Sequence, residues 1–282
     1  MAKRIISAFF IAGLFSAPTQ AQSVIGESIN AAIEAVQEGL DLIWPDDISL
    51  KHVNARLGFG IGFTPDYIGS DDYRLRAIPL IDIRYKEVWR LNGSLLSFSA
   101  YKKNNLEIGP LVNLHFGRRQ NRNPALGGLG DIGTTFEVGA FVRYKTDAML
   151  LSADYRHGLG ENIRSSIQVS AAHGIYKKEN FLAFLGFRAK WLSKSNMQSA
   201  FGISEAQAAS STIGLPAFEA SSGVSNVSAN LVGAYSINKK ARVLGLVSYG
   251  HLFGSAANSP LTADGVGSPS QVVVGAGLAY SF

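Results

Sequence analysis

The residues of this chain that could do chemistry are five histidines in a serine-rich sequence. A serine becomes a nucleophile when a histidine within hydrogen-bond reach takes its proton. His157 and His251 each stand at the end of an alternating segment. The serines that fall near them are Ser165, Ser166, Ser255 and Ser259. A serine near a histidine is expected by chance in such a sequence, and there is no Gly-x-Ser-x-Gly elbow. We therefore expect no catalysis.

Metal and cofactor chemistry is equally unsupported by the residues. The chain has no cysteine, which removes disulfides, haem attachment and thiolate metal sites. No histidine or carboxylate pair recurs at ligand spacing, so we expect no metal and no cofactor. Without Lys3 and Arg4, 24 basic and 21 acidic residues remain. This excess is too small and too dispersed to predict a nucleic-acid partner.

A second set of residues carries charges of both signs. These residues stand at alternating positions within apolar segments. Its members are Asp82, Arg84, Glu107, Glu137, Arg143, Asp154, Arg156, Arg188 and Lys190. If the segments are membrane strands, a basic residue facing hydrocarbon at the midplane costs about 2–4 kcal/mol, so these residues must line a lumen. Because the two signs are nearly balanced, we expect mutually paired charges in a narrow interior. A selective pore would more often show one dominant sign.

The chain ends in a strand of the kind that closes an outer-membrane barrel. From Gln271 to Phe282, apolar and aromatic residues alternate with mostly small ones. This pattern predicts one face toward lipid and one toward a lumen, with Tyr280 and Phe282 at the aromatic girdle. We expect these two aromatic residues to form the signal that the barrel-assembly machinery reads.

Other segments alternate in the same way and are separated by turn signals. The sequence predicts an all-β, transmembrane antiparallel β-barrel of about twelve strands, with ten as the fallback. The count depends on Asn92-Gly93, a strong two-residue hairpin signal. Short turns alternate with long loops, which places the short turns in the periplasm and both chain ends below the barrel. The predicted location is the outer membrane of a Gram-negative bacterium, with outer-membrane lipid around the barrel.

The N-terminal part differs from the barrel. Residues 1–21 predict a secretory signal peptide, 22–54 a periplasmic amphipathic helix and linker, and 55–282 the barrel. The apolar stripe of the helix includes Ile29, Ile33, Val36 and Leu40. An amphipathic pattern does not name what it packs on, so three roles stay open: docking on a periplasmic partner, plugging the lumen, or a simple tether.

Several motifs resemble the MipA/OmpV family of outer-membrane proteins. They are Thr64-Pro-Asp-Tyr-Ile-Gly-Ser70, Leu126-Gly-Gly-Leu-Gly-Asp-Ile132, Asn258-Ser-Pro-Leu261 and the closing Gly277-Leu-Ala-Tyr-Ser-Phe282. The resemblance covers the chain from about Ala55 and leaves out the N-terminal helix. It implies a barrel that binds the lytic transglycosylase MltA and bridges it to a bifunctional murein synthase, but it transfers no site residues. Gly69, Ser70 and Asp131 also suit local turn geometry.

Three functions follow from these observations. The first is a non-enzymatic barrel that acts as a scaffold for murein-remodelling machinery or as a surface-interaction protein. The second is a small-solute outer-membrane channel. The third, least favoured by the residues, is a lipid-modifying hydrolase that uses one of the serine–histidine pairs.

Overall fold

The computed structural model describes residues 53–160 and 164–282, together with Val36. The predicted signal peptide, most of the segment 22–54 and the stripe residues Ile29, Ile33 and Leu40 lie outside the described residues.

Twelve antiparallel strands form one closed barrel, as the sequence predicts. In chain order they are β1 Val53–Pro65, β2 Tyr73–Tyr85, β3 Trp89–Asn92, β4 Leu95–Phe98 with its continuation Tyr101–Lys103, β5 Leu106–His115, β6 Thr135–Lys145, β7 Met149–Gly158, β8 Ser165–Lys178, β9 Phe181–Leu192, β10 Gly223–Ser236, β11 Ala241–Leu252 and β12 Ser270–Ser281. Each strand pairs with its chain neighbour, and β1 pairs with β12 to close the ring.

The hairpin at Asn92-Gly93, on which the strand count depended, is present. Gly93 has a φ of 58°, a left-handed conformation that glycine adopts without strain. It joins the four-residue strands β3 and β4, which pair from Trp89↔Phe98 to Asn92↔Leu95. Because β3 is so short, β2 pairs with it only through Asp82–Tyr85, whereas β2 pairs with β1 along its full length.

The period-2 pattern of the strands gives the barrel an apolar outer face. In β1, Phe59, Ile61 and Phe63 are at least half exposed, while Gly60 and Gly62 between them point inward. A side chain could not replace Gly60, since its Cβ would lie 2.7 Å from the carbonyl oxygen of Ala276 on β12. The glycines therefore let the closing strands β1 and β12 approach each other.

The four longest connections on the side opposite the short turns pack into one folded structure, the loop cap. The cap consists of residues 66–72, 116–134, 193–222 and 253–269, and it contains the helices α1 Lys194–Phe201, α2 Glu205–Ser210 and α3 Gly254–Ala257. One of its apolar cores joins Tyr67, Leu126, Ile203 and Leu261, so it draws on all four loops. None of the helices in the described part of the chain is long and apolar enough to span a membrane.

Candidate functional site

The densest part of the lumen charge network centres on Asp82, which is 1% exposed. Its carboxylate pairs with Arg56 at 3.1 Å and with Arg90 at 2.8 Å, and Arg84 lies 3.8 Å away. Strands β1, β2 and β3 each supply one partner because their lumen-facing positions lie side by side in register. Asp82 thus has three cationic neighbours inside the barrel.

The other predicted lumen residues form smaller groups. Glu107 pairs with Arg143 at 3.3 Å and with Lys102 at 3.3 Å. Glu137 accepts a hydrogen bond from the Asn113 side chain at 2.8 Å. Asp154 and Arg156 pair along one strand, with 2.6 Å between Arg156 Nε and Asp154 Oδ1. These contacts lie on β4 to β7, next to the Asp82 cluster.

Arg188 and Lys190 follow the inward parity of β9, and Arg188 is 4% exposed. Sequence reasoning missed further arginines on the lumen face, among them Arg56, Arg90 and Arg242, all less than 9% exposed. Their inward parity is the signal that could have found them. With these three, eight basic residues stand beside the four predicted acidic ones.

Part of the lumen face is apolar. Buried residues from β2, β7 to β9, β10, β11 and β12 form one cluster, and Val36 belongs to it. Val36 is helical and 6% exposed. Ile78, Leu80, Leu244 and Leu246 line a small cavity together with Val36. This places one residue of the predicted amphipathic stripe inside the barrel.

Polar contacts of buried Tyr67 and Asp66 tie the loop cap together. The Tyr67 hydroxyl lies 2.9 Å from the carbonyl oxygen of Leu261 and 3.1 Å from that of Val266. Burial raises the pKa of Tyr67 above its usual range, so the neutral, hydrogen-bonded form is favoured. Asp66 forms a bidentate pair with Arg74 and accepts a hydrogen bond from Asn123 at 3.2 Å.

Loops from opposite sides of the barrel also meet in the cap. Gln207 donates its side-chain amide to the carbonyl of Leu129 at 2.6 Å, and Arg118 donates to the carbonyl of Ala200 at 3.0 Å. These contacts join the β5–β6 loop to the β9–β10 loop across the outer mouth. The cap therefore spans the mouth instead of leaving separate, open loops.

The opposite rim, formed by the short turns, is strongly basic. Its lysines are Lys86, Lys102, Lys103, Lys145, Lys177, Lys178, Lys239 and Lys240. Only three acidic residues share these turns, Glu87, Asp147 and Glu179. Of these lysines and acidic residues, all but Lys145 are exposed. This rim, which the short turns predict to face the periplasm, is thus an accessible surface with an excess of positive charge.

The two candidate histidines lie at the outer rim in matching arrangements. His157 Nδ1 is 3.0 Å from Ser165 Oγ, and His251 Nδ1 is 2.9 Å from Ser270 Oγ. A tyrosine hydroxyl completes each group, Tyr155 or Tyr249, each 3.2 Å from its serine. Among the residues that the structure describes, no carboxylate orients either imidazole, which a nucleophilic triad requires.

The other candidate serines have structural roles. Ser259 donates to the Phe201 carbonyl within the cap, and Ser255 accepts from the amide of Ser221. Ser166 is buried on the inward face of β8. In the described residues no group of three or more histidine or acidic side chains is placed to hold a metal ion.

The motifs noted in the sequence meet in the cap. Tyr67 comes from the first motif, Leu126 and Leu129 from the second, and Leu261 from the third, and all four share one apolar core. A family model described as MltA-interacting protein MipA matches residues 57–282, which is most of the barrel and the whole cap. The chain belongs to the MipA family. It is an outer-membrane β-barrel of a Gram-negative bacterium.

Solved structures similar to this MipA-family chain are outer-membrane barrels of low sequence identity. The NanC porin is 8% identical with a TM-score of 0.43, and the match covers 82% of this chain and 100% of the porin. An outer membrane channel from Pseudomonas putida F1 is 12% identical with a TM-score of 0.43, with coverage of 84% and 99%. The KdgM porin is 10% identical with a TM-score of 0.39, with coverage of 80% and 99%. No curated protein sequence matches the chain.

The matched motifs also confirm the turn geometry expected for them. Gly69 has a φ of 103°. The Ser70 hydroxyl accepts a hydrogen bond from the amide of Asp72 at 3.1 Å. Asp131 accepts one from the amide of Gln120 at 2.8 Å. These residues shape loops whose apolar side chains then build the cap.

Proposed function

We propose that this chain is a non-enzymatic scaffold that holds a murein-remodelling enzyme at the inner face of the outer membrane. The matching family is named for interaction with MltA, and the chemistry of this barrel fits a partner on the periplasmic side. The partner we propose is a lytic transglycosylase, with a murein synthase as a second component.

The observation that carries this proposal is the contrast between the two ends of the barrel. The outer end is covered by the loop cap, whose loops hydrogen-bond across the mouth. The periplasmic end carries eight lysines, seven of them exposed, against three exposed acidic residues on the short turns and the strand ends beside them. Exposed charge of one sign attracts a partner of opposite charge and speeds its association. A periplasmic enzyme with an acidic surface is therefore the expected partner.

A small-solute channel is the alternative, and the charged lumen is the feature that favours it. A channel needs a continuous water path, whereas the cap lies over the outer mouth and Val36 packs inside the lumen. A lipid-modifying hydrolase has less support, because no carboxylate among the described residues orients the imidazole of either serine–histidine pair.

The test is a binding measurement between the purified barrel in detergent and a lytic transglycosylase of MltA type. We expect saturable binding that weakens as salt increases. Replacing Lys177, Lys178, Lys239 and Lys240 with glutamine should weaken binding at least about tenfold, since the rim charge is removed. The matched control replaces the same four lysines with arginine, which keeps the charge and should keep the binding.

Two results would contradict the proposal. One is the absence of binding by the wild-type barrel, confirmed as folded by its heat-modifiable mobility. The other is equal binding by the glutamine and arginine variants, which would show that the charge of the rim does not contribute to the interface.

A further inference from the structure

Part of the lumen face is made of large aliphatic side chains. Ile78, Leu80, Leu244 and Leu246 point into it and are at most 6% exposed. The inward face of a barrel of this kind is ordinarily polar, and exposing large aliphatic side chains to water costs about 1.5–3 kcal/mol each. An apolar occupant is therefore required on this side of the lumen.

The wall beside this surface is recessed. Gly60, Gly275 and Gly277 lie on β1 and β12 next to the same cavity and contribute no side chains. The missing side chains leave room beside the apolar surface. Val36, in helical conformation, packs at this place with the surrounding apolar residues.

The lumen face outside this apolar surface has an excess of positive charge. It includes the basic residues Arg56, Arg84, Arg90, Arg143, Arg156, Arg188, Lys190 and Arg242 and the acidic residues Asp82, Glu107, Glu137 and Asp154. The eight basic residues exceed the four acidic ones by four charges. An occupant that carries both an apolar stripe and acidic side chains would match both parts of the lumen face.

The sequence of segment 22–52 of this chain combines an apolar stripe with acidic residues. Its charged residues are Glu27, Glu34, Glu38, Asp41, Asp46, Asp47 and Lys51, which leaves five net negative charges. Its apolar stripe contains Ile29, Ile33, Val36 and Leu40, with the carboxylates at other positions of the helical pattern. The 17 positions from Val36 to Val53 could extend up to about 55–60 Å, so the length of the connection is sufficient.

We propose that the barrel lumen is the docking site for the chain's own acidic amphipathic segment, 25–44. The apolar stripe packs on Ile78, Leu80, Leu244 and Leu246, and the carboxylates face the basic residues of the lumen. The lumen is then filled from the periplasmic side by the same polypeptide that forms the barrel. This proposal is independent of the scaffold function and concerns only the barrel interior.

The absence of cysteine from the chain makes a direct test simple. A Leu246→Cys variant is treated with a membrane-impermeant maleimide, and the labelling rate is measured with the folded barrel. We expect labelling to be at least tenfold faster when residues 25–44 are deleted. A Lys178→Cys variant, on an exposed periplasmic turn, is the control and should label equally fast with and without the segment.

Adding the segment back should reverse the effect. A synthetic peptide of residues 25–44 should protect the truncated Leu246→Cys barrel, whereas a peptide of the same composition in scrambled order should not. In the full chain, the combined Glu34→Gln, Glu38→Gln and Asp41→Asn variant should increase labelling, because the charge match is lost. High salt should act in the same direction.

Equal labelling of the full-length and truncated barrels would overturn the proposal. If the truncated protein does not assemble, Val36→Glu in the full chain provides the same test, because it places a charge in the apolar cluster. Unchanged labelling in this variant would also overturn it. Loss of transglycosylase capture with unchanged labelling would show that the segment docks on the partner instead.

Discussion

Tyr67 in the first outer loop donates a hydrogen bond to the carbonyl oxygen of Leu261, 194 positions further along the chain, at 2.9 Å. The two residues belong to loops that flank the closure of the barrel between β1 and β12. Their contact fixes the loop cap to the point where the first and last strands meet.

A Tyr67→Phe substitution should loosen the cap without preventing barrel assembly. The ring would still fill its place in the apolar core, but the carbonyl oxygens of Leu261 and Val266 would lose their buried donor, at a cost of about 1–3 kcal/mol. We expect faster proteolysis of the outer loops on intact cells. Tyr235→Phe, on the lipid-facing side of β10, is the control; equal protease sensitivity in both variants would contradict the role of Tyr67.

Asp82→Asn should destabilise the barrel strongly. Removing the carboxylate leaves Arg56 and Arg90 without their shared counter-ion in the lumen, and breaking a buried pair costs about 3–5 kcal/mol. The barrel should lose its heat-modifiable mobility at a lower temperature. Glu219→Gln removes the exposed partner of Lys194 and should change little, because both side chains are in water. Comparable shifts in the two variants would show that the Asp82 cluster is not structural.

The face assignment of β9 is tested by two adjacent positions. Leu185→Arg places a charge toward lipid, which costs about 2–4 kcal/mol near the midplane, so folding into lipid vesicles should be impaired. Gly186→Ser adds a small side chain on the lumen side, where a Cβ would be 3.7 Å from its nearest neighbour, and should be tolerated. A tolerated arginine together with a harmful serine would mean that the strand is inverted.

Deletion of Phe282 should reduce assembly in cells. Its ring packs edge-on against Tyr280 with 4.9 Å between centroids, and its amide donates to the carbonyl of Ala55 at 2.9 Å. The deletion removes the terminal aromatic residue that we expect the assembly machinery to read. The amount of folded barrel in outer-membrane fractions measures the effect, and a normal amount would refute the proposed signal.

The strands were largely predictable because alternation is a local property. The closed barrel of twelve strands is the predicted fold, and Asn92-Gly93 is the predicted turn. Alternation also led to the nine lumen charges proposed from the sequence, since parity along a strand decides which face a side chain is on.

The cap and the apolar part of the lumen face were not predicted. The contact between Tyr67 and Leu261 joins distant parts of the chain, and no local pattern encodes it. Likewise, Leu80 has the inward parity of Asp82, but where both faces of a strand are apolar, the local pattern does not say what packs against the inner one. Long-range packing decided both features.

The conductance of the purified barrel in a planar bilayer tests the scaffold account most directly, with an established porin as the reference. The cap over the outer mouth predicts no steady conductance steps from heat-modifiable protein that also binds the transglycosylase. Steady, ohmic steps of porin size from the same preparation would contradict the account and identify the barrel as a channel.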